Sequence, residues 1–251
     1  VAGFIREQGG RIVLLGLSNP YRREAGGALG QARRHLRRSG PRMLGYLFVN
    51  IALPRLVAAL GGSLARLCRK TGIPTVIVEA VNGPGFHAAL RAARPDLIVT
   101  FHFDQILSAE TLALAPLGGI NIHPSLLPRH RGPIPTFWAG LEAGSEAGPA
   151  HGVTIHRLVP RIDAGAILAQ RTLPLPAGMT ASAAARRLHL AALPLAGEVL
   201  DRIAAGTAEE RLTEPLPYCP FPSGAALREA RRRGVRLVGA GDIRAALRDH
   251  P

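Results

Sequence analysis

Short runs of β-branched and aliphatic residues, separated by Ala/Leu/Arg-rich stretches of helical pattern, constrain this chain most. The runs lie at Arg11 to Leu17, Pro74 to Glu79, Asp96 to Phe101 and Gly119 to His123. Strands alternating with helices in this way are the habit of parallel sheets covered on both faces. Two further runs, Gly152 to Val159 and Ala166 to Leu175, follow each other closely around Asp163 and Gly165. They read as a strand, a loop and a returning strand, so a mixed sheet is expected. The expected class is therefore α/β, a Rossmann-like and mostly parallel sheet with helices on both faces.

The punctuation agrees with this layout. Gly83, Pro84 and Gly85 open a helix to about Ala93, closed by Arg94 and Pro95, and Ser108 is placed to cap the next one. A long helix is expected from about Ala181 to Ala205, after which Pro215, Pro217, Pro220 and Pro222 mark the change to a small tail. The division is residues 1–207 as the main domain and 208–251 as a C-terminal extension. Val1 to Gly10 reads as the end of a helix capped by Gly9 and Gly10. A doubly wound domain ordinarily starts with a strand, so an upstream strand and most of its helix are expected to be missing. Met43 to Leu60 is the most apolar stretch, but Asn50, Pro54 and Arg55 break it below spanning length. It reads as buried or half-buried helix, with no role in a membrane.

The formal net charge is +14, carried by 30 Arg and a single Lys, Lys70. Such a charge ordinarily points to a polyanionic partner. Arg in place of Lys throughout, beside abundant Ala, Gly and Pro, points instead to a coding bias spread over the whole surface. The clusters Arg33, Arg34, Arg37, Arg38 and Arg231, Arg232, Arg233 read as solvated helix faces, or as attraction for a phosphorylated acceptor, with the first reading preferred. Cys68 and Cys219 stand far apart without a CxxC pair, which indicates neither a zinc site nor a disulfide framework and fits a reducing cytoplasm.

The chemistry concentrates in residues 121–135. Asn121 and His123 stand at i and i+2 on an otherwise apolar strand, so both project from one face of the sheet. An amide and an imidazole side by side can aim two hydrogen bonds at one oxygen, as a developing oxyanion requires. A polar strand end bonded to neighbouring backbone is the alternative. Against it stands the loop that follows, stiffened by Pro124, Pro128, Pro133 and Pro135, with Gly132 and a self-bonding Ser125. Asp163 is either an ordinary turn residue or a carboxylate partner that raises the pKa of His123 and keeps it charged.

These pieces together resemble the folate-dependent formyltransferases, the family of glycinamide ribonucleotide, methionyl-tRNA and sugar amine formyltransferases and of 10-formyltetrahydrofolate hydrolases. The resemblance rests on Asn121-x-His123, on Ser125 to Pro128 with Gly132, on Asp163-Ala164-Gly165, and on Gly152 to His156 before it. It spans about Asp96 to Leu175. It implies 10-formyltetrahydrofolate as co-substrate, no metal, and Asn121, His123 and Asp163 as the catalytic residues. It places Phe103, Gln105, Ile106 and Leu107 on one side of a folate pocket, with Leu158, Val159 and Pro160 opposite, and adds Ser125 to the cofactor-binding residues. Gln105 stands where some relatives carry Arg toward the folate carboxylates. The implied acceptor is a small-molecule amine such as an amino sugar nucleotide, because the basic C-terminal domain usual in methionyl-tRNA enzymes has no counterpart among the fewer than fifty residues after the long helix. tRNA is the alternative raised by charge; a hydrolase and a non-catalytic folate-binding protein are the others.

Overall fold

Six short strands form two sheets among the residues that the computed structural model describes, 1–21, 26–59, 64–143 and 151–248. β1 (Leu15–Ser18) and β2 (Thr75–Val78) pair in parallel as a two-stranded sheet. The second sheet runs β3 (Ile98–Phe101), β4 (Gly119–His123), β5 (Gly152–Arg157) and β6 (Ile167–Thr172). β3 and β4 are parallel, whereas β5 and β6 each run against the strand before them. All six expected strands are present, and the mixed sheet follows from the return around Asp163. The β1 expectation shifts: Arg11 ends a 3-10 turn (Gly9–Arg11), and the strand begins only at Leu15.

Helices cover these strands. α1 (Ala2–Gln8) leads into the 3-10 turn. Gly9 there is right-handed at φ −52, so the turn continues the helical sense in place of the expected left-handed cap. α2 (Gly27–Ser39) and α3 (Pro41–Leu47) precede a π-helical stretch, Phe48–Ala52, that runs into α4 (Leu53–Ala59). The apolar stretch is thus helical with Met43, Val49 and Leu53 buried; its last residue, Leu60, lies outside the described residues. Among the described residues no helix is long and apolar enough to cross a membrane.

α5 (Leu64–Thr71), α6 (Pro84–Ala93) and α7 (Ala109–Leu112) follow, the last capped by Ser108, whose Oγ accepts from Thr111 N at 3.1 Å. α6 starts with Pro84 in its first turn and ends on Arg94 in the left-handed region at φ 47. Then come α8 (Pro135–Glu142), the long α9 (Ala181–Ala204), α10 (Gly224–Arg232) and α11 (Ala240–Arg248).

Alternation along two strands decides where the core ends and the cavity begins. Ile120 and Ile122 of β4 and Val153 and Ile155 of β5 are buried against Phe4 of α1 and Leu195, Ala196 and Val199 of α9. Their neighbours in sequence, Asn121 and His123, Thr154 and His156, therefore point to the other face. One face of the sheet is oil; the other is polar.

Candidate active site

A cavity of about 520 Å³ opens at the C-terminal ends of β3 and β4, where ligands sit in α/β sheets. Its polar floor is a row across three strands. Thr100, Asn121 and His156 are register partners on β3, β4 and β5. Thr100 Oγ1 donates to Asn121 Oδ1 at 2.8 Å, and this turns the amide nitrogen of Asn121 toward His156 Nε2 at 3.2 Å. His156 Nδ1 lies 2.8 Å from the Arg157 carbonyl, which only accepts, so Nδ1 carries the proton and Nε2 accepts from the amide. One N–H of Asn121 is left for a ligand. A bulge in the β5–β6 pairing at Ile155 and His156 accompanies this placement.

His123 is held in the same way. Its Nε2 lies 3.2 Å from the His130 carbonyl, and its Nδ1 stands 3.6 Å from Asp163 Oδ1. Asp163 Oδ1 is also 3.6 Å from His156 Nε2, while Oδ2 accepts from Gly132 N at 2.9 Å. Burial alone would raise the Asp163 carboxyl; the His123 and His156 imidazoles and the Gly132 N–H outweigh it and hold it at about 2. For His123 the balance goes the other way. Burial lowers its imidazole by more than the Asp163 carboxylate raises it. The expectation that Asp163 raises the pKa of His123 is thereby corrected: burial outweighs the carboxylate, and the imidazole lies below its ordinary value.

Arg131 binds this turn to its surroundings. It is only 4% exposed. Nε donates to the carbonyls of Ile162 and Asp163 at 3.1 Å each, Nη1 to Leu216 O at 2.8 Å, and Nη2 to Ile162 O. Its own carbonyl accepts from Cys219 N at 2.8 Å. The next residue, Gly132, has φ +127, and a Cβ there would collide with the Cys219 carbonyl. At Gly165 a Cβ would collide with the Arg157 carbonyl, so the close return after Asp163 excludes a side chain.

The expected folate residues divide. Phe103, Gln105, Ile106, Leu107, Leu158 and Val159 line the cavity together with Asn121, His123 and Asp163. Ser125 and Pro160 do not. Ser125 is fully buried, donating to Arg129 O at 3.1 Å and accepting from Thr154 Oγ1 at 2.6 Å, so it fixes the loop from behind. Pro160 is exposed. Gln105 is spent on structure: Nε2 donates to Ser18 Oγ at 2.9 Å and Oε1 accepts from Val81 N at 2.9 Å, tying β1 and the end of β2 to the cavity rim.

Sequence reasoning passed over Thr100, His156, Arg131 and the wall residues Tyr46, Asn50, Tyr218 and Phe221. His156 had a signal, since Thr154-x-His156 repeats the spacing of Asn121-x-His123 on the next strand.

The fold and site together define a Rossmann-like α/β domain with an amide, an imidazole and a carboxylate at a ligand cavity. Residues 79–199 match the formyl transferase family, which the chain resembles over that stretch. It is 37% identical over 149 residues to the methionyl-tRNA formyltransferase of Roseiflexus sp. (strain RS-1), a match covering 59% of this chain and 45% of that protein. The chain thus spans less than half the length of that relative. Among solved structures it resembles a sugar N-formyltransferase from Shewanella sp FDAARGOS_354 with a TM-score of 0.53 at 20% identity, over 93% of this chain and 85% of the other. It also resembles phosphoribosylglycinamide formyltransferase from Anaplasma phagocytophilum, with a TM-score of 0.50 at 25% identity over 62% and 78% of the two chains. The Shewanella likeness carries the fold alone.

Proposed function

We propose that the protein transfers the formyl group of 10-formyltetrahydrofolate to a primary amine, with Asn121, His123 and Asp163 as catalytic residues. The observation that carries this reading is the row at the cavity floor, where one uncommitted amide N–H lies beside a neutral imidazole backed by a carboxylate. The cavity volume suits a flat heterocycle, whose faces the apolar flank of Phe103, Ile106, Leu107, Leu158 and Val159 can cover. Residues 1–207 form the catalytic domain in this reading, and the extension 208–251 adds Tyr218 and Phe221 to the cavity wall.

The chemistry follows from the protonation states. A neutral amine attacks the formyl carbon, and the carbonyl oxygen becomes an oxyanion that the free Asn121 N–H stabilises. The new bond makes the attacking nitrogen acidic. His123 Nδ1 takes its proton, directly or through water, and Asp163 stabilises the imidazolium that results. Breaking of the bond between carbon and N10 returns that proton to N10, leaving a formamide and tetrahydrofolate. No metal enters these steps.

The acceptor in this reading is a small-molecule amine such as an amino sugar nucleotide. A second reading, aminoacylated tRNA, is favoured by the Roseiflexus relative. The test is to incubate the protein with 10-formyltetrahydrofolate and, separately, aminosugar nucleotides, glycinamide ribonucleotide, charged initiator tRNA or no acceptor, following free tetrahydrofolate. Release only with an amine supports transfer and names its class. Release without acceptor makes the protein a hydrolase, and silence in every lane despite donor binding leaves it a folate-binding protein.

A further inference from the structure

Two separate apolar groups wall the cavity. Phe103 and Leu158 line it and pack with Val78, Val81 and Leu107. Tyr46, Leu47 and Phe221 also line it, but pack with Met43, Ile134 and Phe137. Asn121, His123 and Asp163 border the same space. Transfer between two molecules needs a compartment for each at one reacting centre. The first wall belongs to the donor in the function proposed above, so the second is left for the acceptor.

That second wall carries polar groups which the fold does not use. Asn50 stands in the π-helical stretch, a distortion frequent at functional sites. Both protons of its Nδ2 are committed, to Tyr46 O at 2.9 Å and to Ser182 Oγ at 2.8 Å, and these bonds fix the amide. Its Oδ1 accepts no hydrogen bond among the described residues, although Asn50 borders the cavity. Tyr218 is brought to the site by bonds of its neighbours. Leu216 O accepts from Arg131 Nη1 at 2.8 Å, Cys219 N donates to Arg131 O at 2.8 Å, and Pro220 O accepts from Trp138 Nε1 at 3.1 Å. The ring passes the bare face of Gly132, where a Cβ would stand 3.1 Å from Tyr218 Cε2. Gly132 N donates to Asp163 Oδ2, so the ring stands beside the turn that holds the carboxylate of the floor. Tyr218 is 45% exposed.

An aromatic ring and a fixed amide oxygen on one wall suit an amine whose carbon frame carries hydroxyls. The C–H groups of such a frame pack on the ring, and a hydroxyl donates to the amide oxygen. We propose that Asn50 and Tyr218 are the specificity-determining residues of an acceptor subsite, and that they select an amino sugar, with a sugar hydroxyl on Asn50 Oδ1 and the sugar ring against Tyr218. The role of acceptor rests on the formyl-transfer reading; the sugar site itself does not.

The probes are 4-amino-4-deoxyhexoses linked to uridine or thymidine diphosphate, an analogue stripped of its free sugar-ring hydroxyls, methionyl initiator tRNA, and tetrahydrofolate. Each is titrated calorimetrically into the full chain and into N50L, Y218A and Y218F, and formamide formation is followed separately with 10-formyltetrahydrofolate. An amino sugar nucleotide is expected to bind the unaltered chain and to weaken about tenfold in N50L and in Y218A, with a matching rise in its KM. Y218F keeps the ring and should recover most of the affinity. The loss in N50L should vanish with the stripped analogue, which a merely structural role of Asn50 would not produce. Tetrahydrofolate should bind all four forms alike. Equal affinity of the amino sugar nucleotides for the unaltered chain, N50L and Y218A overturns the proposal. So does an absence of amino sugar binding, binding of tRNA alone, or a parallel loss of tetrahydrofolate in the variants. Amino sugar binding that weakens as expected, with no formamide in any lane, would keep the sugar site and sink the formyl-transfer reading.

Discussion

Behind the cavity floor, on the same face of the sheet, polar side chains are engaged from several directions, and Thr154 is representative. Its Oγ1 donates to Ser125 O at 2.6 Å and accepts from Leu127 N at 3.0 Å and Gln170 Nε2 at 2.9 Å. The helical wall opposite, from α2 through the π-helical stretch to α4, is built differently. Leu47 and Ile51 face the cavity there, Asn50 ties the wall to Ser182 at 2.8 Å, and Phe48 stays 52% exposed. Buried polar groups must be satisfied in one arrangement, whereas exposed apolar and charged groups tolerate many. The floor is therefore where chemistry is fixed, and the wall is where the choice of partner can vary at little cost to the fold.

Substitutions can break that contrast or sharpen it. His123→Ala and Asp163→Asn should each lower the turnover number by about 10³-fold with the circular dichroism spectrum unchanged. Formyl transfer near the unaltered rate by either purified variant would falsify the assignment. Asn121→Ala removes one oxyanion donor and should cost about 3 kcal/mol in kcat/KM, roughly a hundredfold, while tetrahydrofolate binds as before. Gly165→Ala forces a Cβ into the Arg157 carbonyl, and urea unfolding should show a loss of about 3 kcal/mol. An unchanged midpoint would mean that the floor yields as readily as the wall.

A graded effect is expected of pH. His123 and His189 are both lowered, His189 to about 4, in each case mainly by burial. Below about 6.5 the unfolded chain takes up protons that the folded chain refuses, so stability falls as the pH drops through that value. Asp163 has the depressed pKa usual for a carboxylate, so its stabilisation is complete above its unfolded value and is lost as pH falls toward 2. Both effects act in the same direction. Thermal melts from pH 7.5 to 4.5 should fall steadily, and kcat/KM should rise with pH below 6.5 and level above it, as His123 becomes free to accept a proton. A kcat/KM that falls over the same range would reverse the role given to His123. Smallest of all, Phe48→Ser on the wall should change stability by less than about 0.5 kcal/mol.

How far the sequence discloses this arrangement depends on the range of the interactions involved. Strands and helix starts follow from local pattern, and so the Ser108 cap, the Pro84 helix start and the common face of Asn121 and His123 were legible. Thr100 and His156 join Asn121 only through strand register, which two residues on one strand do not encode. Gln105 sits beside the cavity as expected, but its amide is committed to Ser18 and Val81, residues far away in the chain. The charge of His123 was misjudged because a neighbouring carboxylate can be read from a motif, whereas the depth of burial that outweighs it cannot.

The bond from Cys219 N to the Arg131 carbonyl has a consequence for synthesis on the ribosome. A nascent chain carries Asn121, His123 and Asp163 long before residues 216–219 emerge, yet Arg131 has until then neither the Leu216 carbonyl to hold nor the Cys219 N–H to receive. The frame is thus completed late: residues 216–219 act as a latch, and a chain stalled before them holds the three proposed catalytic groups in an unfinished setting.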